Sequence, residues 1–229
     1  MSDSLVLSGE DFHYLAYVVR ARTGQTVQTF DGKGNVHEWQ IVSIEKRTVR
    51  LARIDSAIVP RNSPVKLTLA LNPLKGGNEE FAIRMAAAME VVSLRPVIFS
   101  RSEVPLDDSG LDKRLDRWKK LCVSEVALGG GAFLPVIMPP IRFGDADLSG
   151  YDCGVLFDEE ASADDRRPQF KAGSDVIAYV GPEGGLEREE VAVARERGLL
   201  VASLGPWTLR AELAGALVPS WVYSRVEGG

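Results

Sequence analysis

Apolar and polar positions follow one rhythm up to Ile54 and another from Val65 onward. In the first, residues 10–22 carry Phe12, Leu15, Tyr17 and Val19 at spacings that predict a short amphipathic helix ending in Arg20 and Arg22. Residues 26–30, 36–44 and 48–54 read as three strands, and Asp31-Gly32-Lys33-Gly34 joins the first two, since Asp-Gly between β-rich runs favours a hairpin. Three strands so close together predict a small antiparallel barrel. Pro60-Arg61-Asn62-Ser63-Pro64 has two prolines and no apolar pattern, and marks a linker between a domain at 1–63 and another at 64–229.

The second rhythm alternates short apolar runs with longer helical ones. Strand 65–71, loop 72–77, helix 78–91, strand 96–100 and helix 111–128 predict parallel βαβ units. A proline-rich passage through Pro140, strand 153–157 and an Asp/Glu/Arg loop to Pro168 follow. Strand 176–180 then breaks into Gly181-Pro182-Glu183-Gly184-Gly185 and reopens as an acidic helical run over 186–197. That arrangement presents backbone N–H groups to a ligand, although a tight turn needing glycine has the same composition. The loop is not a G-x-G-x-x-G fingerprint and lacks the Lys-Ser/Thr of a P-loop. A further strand and turn, 201–206, lead into Trp207-Thr208-Leu209-Arg210-Ala211-Glu212-Leu213-Ala214.

Composition narrows the class. With 229 residues, 45% hydrophobic and 26% charged, the chain suits two ordinary globular domains. Its start has no basic n-region, and no run approaches the roughly 20 apolar residues of a membrane span, so a cytoplasmic protein is expected. Cys122 and Cys153 are isolated and there are two His, which leaves no metal-ligand cluster and excludes zinc chemistry. Residues 1–63 hold eight Lys/Arg against seven Asp/Glu, a net of +1, so the remainder carries −6 to give the total of −5. Any basic face for nucleic acid must be local. Lys46, Arg47, Arg50 and Arg53 form one positive cluster, and Lys113, Arg114, Arg117, Lys119 and Lys120 another, diluted by Asp112 and Asp116. Either is an RNA contact or a solvated face.

The joint spacing of Gly181-Pro-Glu-Gly-Gly185, Leu204-Gly205 and Leu209-Arg210-x-Glu212-x-Ala214 resembles the C-terminal signature of the RsmE-type rRNA (uracil-N3) methyltransferases of the SPOUT superfamily. His13-Tyr14-Leu15 with Val18-Val19-Arg20 is similar to a segment near that family's N-terminus. The resemblance covers nearly the whole chain. It implies an α/β fold, a parallel sheet with a C-terminal trefoil knot, preceded by a small PUA-like β-barrel, and a cytoplasmic homodimer acting on small-subunit rRNA. Threaded chains are rare, so the knot rests on the resemblance alone. S-adenosylmethionine is the implied cofactor, held by Phe157, Gly181, Glu183, Gly184, Gly185, Leu204, Gly205, Leu209 and Arg210. Arg210 and Glu212 are the implied catalytic pair, and Arg20 and Arg22 the implied RNA contacts. Uracil N3 attacks only after its proton leaves, which calls for a base or an anion-stabilising cation.

Some motif positions depart from the family. Ala87-Ala88-Met89-Glu90 stands where Thr-Glu-Leu-Gly is typical, Ala127-Leu128-Gly129-Gly130-Gly131 replaces Glu-Gln-Ser/Cys-x-Arg, Trp207 replaces an Arg, and Ala211 and Leu213 replace Thr. The retained Arg210 and Glu212 point to an active methyltransferase. The departures point to the alternative, a paralogue that binds RNA or cofactor without methyl transfer.

Overall fold

The structure, a computed structural model, describes residues 3–104, 110–161 and 168–227. Residues 162–167 of the expected acidic loop lie outside the described residues. The chain divides into two compact units, Met1–Arg61 and Asn62–Gly229.

In the first unit, strand β1 (Ser4–Ser8) and helix α1 (Gly9–His13) precede strands β2 (Thr26–Phe30), β3 (Asn35–Ile44) and β4 (Thr48–Ile58). The antiparallel sheet runs β1-β4-β3-β2. The β2–β3 turn is tied by Asp31, whose Oδ1 accepts hydrogen bonds from the Lys33 and Asn35 amides at 2.7 and 3.1 Å. Phe12, Trp39, Ile41, Val49 and Leu51 form the core, with Leu5, Leu7 and Leu15 packed against it. β1 goes beyond the three strands expected, and β4 continues four residues past Ile54.

The helix of this unit is shorter than its apolar spacing predicts. After α1 the backbone widens into one π-helical stretch, Tyr14–Val18, where the Val19 amide donates to the Tyr14 carbonyl at 2.9 Å. Arg20 then takes the left-handed conformation, φ 55°, and turns the chain as a helix-terminating residue does. Tyr17 and Val19 consequently face solvent, at 60% and 50% exposure, while Phe12 is buried.

The second unit is built on strands β5 (Lys66–Leu71), β6 (Ser93–Ile98), β7 (Val136–Ile137), β8 (Ile141–Arg142), β9 (Cys153–Phe157), β10 (Asp175–Val180) and β11 (Leu200–Ala202). Helices α2 (Glu80–Ala88), α3 (Leu111–Leu128), α4 (Arg188–Glu196) and α5 (Ala211–Tyr223) connect or flank them. Every pairing in the sheet is parallel, in the order β11-β9-β10-β5-β6-β7, with β8 also on β6. β5, β9 and β10 are buried after their first residue, as continuous apolar strands covered on both faces must be. Leu156, Ile177 and Tyr179 meet Val191, Ala194 and Leu199 on one side.

β6 begins three residues before the expected 96. Pro96 can lie inside it because the neighbour changes there: Ser93 and Leu94 pair with β7, Val97 and Ile98 with β8. On that edge no ladder bond needs the missing Pro96 N–H. α5 packs against α2 and β5 through Gly215, where a Cβ would lie 2.9 Å from Leu71 Cδ1 and 3.0 Å from Ala82 Cβ. No helix among the described residues is long and apolar enough to cross a membrane.

Candidate active site

Parallel sheets bind ligands beyond the carboxyl ends of their strands, where the loops and helix N-termini converge. Here segments after β5, β6, β9, β10 and β11 line one cavity of about 910 Å³. β9 ends in Phe157, followed by Asp158, Glu159 and Glu160. β10 ends in Val180, followed by the 181–186 loop, and β11 leads to Ser203, Leu204 and residues 207–210. Phe157, Gly181, Glu183, Gly184, Gly185, Leu204, Leu209, Arg210 and Glu212 all reach this cavity. Gly205 is not on its wall but lies between Leu204 and Trp207, which are. Arg20 and Arg22 belong to the first unit, where both are exposed.

The glycines of the 181–185 loop serve different ends. Only Gly185 has positive φ, at 72°, so conformation alone does not account for Gly181 and Gly184. A Cβ at Gly181 would lie 2.7 Å from Leu186 Cδ2, and one at Gly184 would lie 3.4 Å from Arg101 Cβ. The loop leads into α4 through a capping box, in which the Glu187 amide donates to Glu190 Oε2 at 2.9 Å. Acidic residues in that first turn suit the positive end of the helix dipole.

Residues distant in sequence fix the loop from outside. Arg101 donates to the Gly184 carbonyl at 3.1 Å and approaches Glu187 at 3.8 Å. Asn78 Nδ2 donates to Glu183 Oε1 at 3.3 Å. Both line the cavity, as do Arg188 and Arg195. Sequence reasoning alone misses Asn78, Arg101 and the Asp158–Glu160 cluster; once the strand order is established, their place after the carboxyl ends of β5, β6 and β9 accounts for them.

Across the cavity, Arg210 caps α5 with extended backbone, φ −61° and ψ 146°. Its Nε lies 3.2 Å from Glu212 Oε1, and the two side chains are 77% and 12% exposed. Glu212 sits in the first turn of α5, where the helix dipole favours an anion. One carboxylate, mostly buried, thus holds a guanidinium whose far end is open.

Neither cysteine has the exposed, electropositive setting of a nucleophile. Burial pushes the Cys122 thiol up to about 12, and burial, then Asp152, raises that of Cys153. Among the described residues no group of three or more His, Cys, Asp or Glu could hold a metal ion. Of the departures from the signature, Trp207 and Ala211 line the cavity, whereas 87–90 and 127–131 do not. Glu90, at a position where glycine is typical, has φ 55°. It compensates with two hydrogen bonds accepted from Asn62, at 2.6 and 3.1 Å.

A parallel α/β unit whose cavity is walled by loops at the carboxyl ends of its strands, in one chain with a small antiparallel unit, is the organisation of a ligand-binding α/β domain with a separate accessory domain. The chain belongs to the RNA methyltransferase family: the RNA methyltransferase domain matches residues 61–223 and its associated PUA domain residues 7–52, and within that family it is of RsmE type. It is 27% identical over 217 residues to ribosomal RNA small subunit methyltransferase E of Bacillus subtilis, covering 91% of this chain and 85% of that protein. To the protein of the same name from Mycobacterium bovis it is 26% identical over 220 residues, covering 93% and 83%. The crystal structure of ribosomal RNA small subunit methyltransferase E from Neisseria gonorrhoeae bound to S-adenosyl methionine superposes with a TM-score of 0.82 at 26% identity, covering 96% of this chain and 92% of that one.

Proposed function

We propose that this protein is a cytoplasmic, S-adenosylmethionine-dependent methyltransferase that modifies uracil N3 in small-subunit rRNA. The observation that carries the reading is the Arg210–Glu212 pair, set on the wall of the cavity that the three loops form. The cavity fits the cofactor chemically. Its volume of about 910 Å³ lies within the roughly 300–1,000 Å³ of small-molecule sites. Phe157, Val180, Leu186, Leu204 and Leu209 offer apolar contact for an adenine, Arg101 and Arg188 offer charge for a carboxylate, and Asp158, Glu159 and Glu160 suit the ammonium and sulfonium. The cofactor supplies an electrophilic methyl group on sulfur. The protein binds and orients, and Arg210, held by Glu212, stabilises the charge that spreads onto the uracil carbonyls as N3 gives its proton to solvent water and takes the methyl group from sulfur.

The non-catalytic alternative rests on Trp207 and Ala211, the departures that line the cavity, since the substituted segments 87–90 and 127–131 are absent from its wall; the retained Arg210–Glu212 pair favours the enzyme. The trefoil threading belongs to the reading. Its support is the path from β10 at mid-sheet out past β9 to β11, then back to α5 against β5 and β10. Arg20 and Arg22, exposed on the PUA-like unit, are the proposed RNA contacts.

Calorimetric titration with S-adenosylmethionine, followed by labelled-methyl transfer to unmodified small subunits with the site mapped by nuclease digestion, tests the function. Saturable binding and one modified uridine are expected, and no binding to the folded protein contradicts the reading. A homodimer through the second unit is part of the same proposal. α5 keeps Leu217 48% exposed and Leu213 and Trp221 half-buried, an apolar face on the helix that carries Glu212. Sedimentation at micromolar concentration should show a dimer, and Leu217→Glu should shift it to monomer. A wild-type monomer there removes the dimer from the proposal.

A further inference from the structure

Trp207 lines the cavity and is 69% exposed. Single exposed apolar side chains are ordinary, so exposure alone means nothing, but the seat of this indole is specific. Gly205 holds φ +149°, and a Cβ there would lie 2.8 Å from both Cε3 and Cζ3 of the ring. Glycine at that position is what lets the ring lie against the backbone. The loop is braced beneath it by Ser203, whose Oγ donates to the Gly205 carbonyl at 2.7 Å and lies 3.2 Å from the Gly205 amide. The indole is therefore supported on one side and open on the rest. Arg210, 77% exposed, shares its cavity wall.

An exposed aromatic face on the same cavity wall as a guanidinium whose outer end is open suits an unpaired nucleobase. Stacking is indifferent to base identity because every base has a π-face, and sequence-specific RNA sites are mostly unstacked bases held on aromatic or Arg planes. Stacking also grips a pyrimidine by its face, leaving the ring edge that carries N3 free to point at a methyl donor.

Resting on the methyltransferase reading above, we propose that Trp207 is a stacking platform for an unpaired base of the RNA at the mouth of the cavity. The test is a titration of the full-length protein, with S-adenosylhomocysteine present, by a short single-stranded oligouridylate. Intrinsic tryptophan fluorescence and the anisotropy of a labelled oligomer are read together, and an abasic ribose-phosphate oligomer serves as the backbone-only arm. The uridylate should quench wild-type fluorescence. Trp207→Leu should abolish the quench and weaken uridylate binding by about 5- to 100-fold, the span of one base–aromatic stack. Trp207→Phe should restore affinity, and the abasic oligomer should bind all three alike. Equal uridylate affinity in wild type and Trp207→Leu overturns the proposal, as does an equal loss for the abasic arm. So does a Trp207→Leu defect traced to lost cofactor binding by calorimetry or to an altered oligomeric state by sedimentation. Absence of methyl transfer by the wild type would remove the enzyme reading, while the quench titration still decides the platform by itself.

Discussion

Arg210→Ala is expected to lower methyl transfer by about 10²–10³-fold, the range for loss of one preorganised donor at a developing oxyanion. The loss should fall on kcat more than on KM, because the uracil carbonyls carry full charge only once N3 is deprotonated and the guanidinium favours that state over the neutral base. Preorganisation comes from Glu212: with the Arg210 Nε engaged at 3.2 Å, the outer nitrogens project from a helix cap whose backbone is fixed. Arg210→Lys should recover little, since an ammonium on a flexible stem can neither reproduce the planar fork nor hold the Glu212 geometry. Glu212→Gln keeps the size and loses the ionic hold, and should fall between wild type and Arg210→Ala. The measurement is single-turnover methyl incorporation into unmodified small subunits at saturating cofactor. If Arg210→Ala matches the wild type, the residue has no part in the chemistry, whatever becomes of the enzyme reading.

The sequence announces what is local and is silent on what the sheet assembles. Helix Leu111–Leu128 and strands Thr26–Phe30 and Cys153–Phe157 have the predicted bounds, since each is a periodic run closed by turn residues or glycine. β7 and β8 are two residues each, on either side of Met138-Pro139-Pro140, and no periodicity exists at that length. The π-helical stretch at Tyr14–Val18 is equally hidden, since its spacing of apolar residues suits an ordinary helix. In the site, the glycine loop, Leu204, Leu209 and the Arg210–Glu212 pair are legible as contiguous motifs. Asn78 and Arg101 are not, because they reach Glu183 and Gly184 across 105 and 83 positions of chain, through a strand order that only the folded sheet establishes.

Glu79→Ala is expected to cost the fold about 3–5 kcal/mol, the penalty for removing one partner of a buried ion pair. Glu79 is fully buried, its side chain 1% exposed against 20% for Arg114, so solvent does little to screen what is lost. Its Oε1 accepts from Arg114 Nη1 at 2.6 Å and from the Trp118 indole at 3.2 Å, while Oε2 accepts from the Leu74 amide at 3.2 Å. Arg114 Nη1 also donates to the Leu74 carbonyl at 2.5 Å. One carboxylate therefore joins the loop after β5, the start of α2 and the first half of α3. Its removal leaves a buried indole N–H and a buried amide without their acceptor, each desolvated at a cost of about 1–3 kcal/mol, and a guanidinium without its counter-ion. Glu79→Gln retains an acceptor and should lose less. The double variant Glu79→Met with Arg114→Leu removes both charges together and should recover much of the loss, because paired deletion strands no ion. In a thermal melt the single variant should fall by about 6–20 °C, at about 2–4 °C per kcal/mol for a chain of this size. Since Asn78 precedes Glu79 and donates to Glu183, cofactor binding at a temperature where the variant is still folded should also weaken. A Glu79→Ala protein within about 1 kcal/mol of wild type in urea would show instead that water satisfies these groups, and that the pair contributes no more than an exposed one.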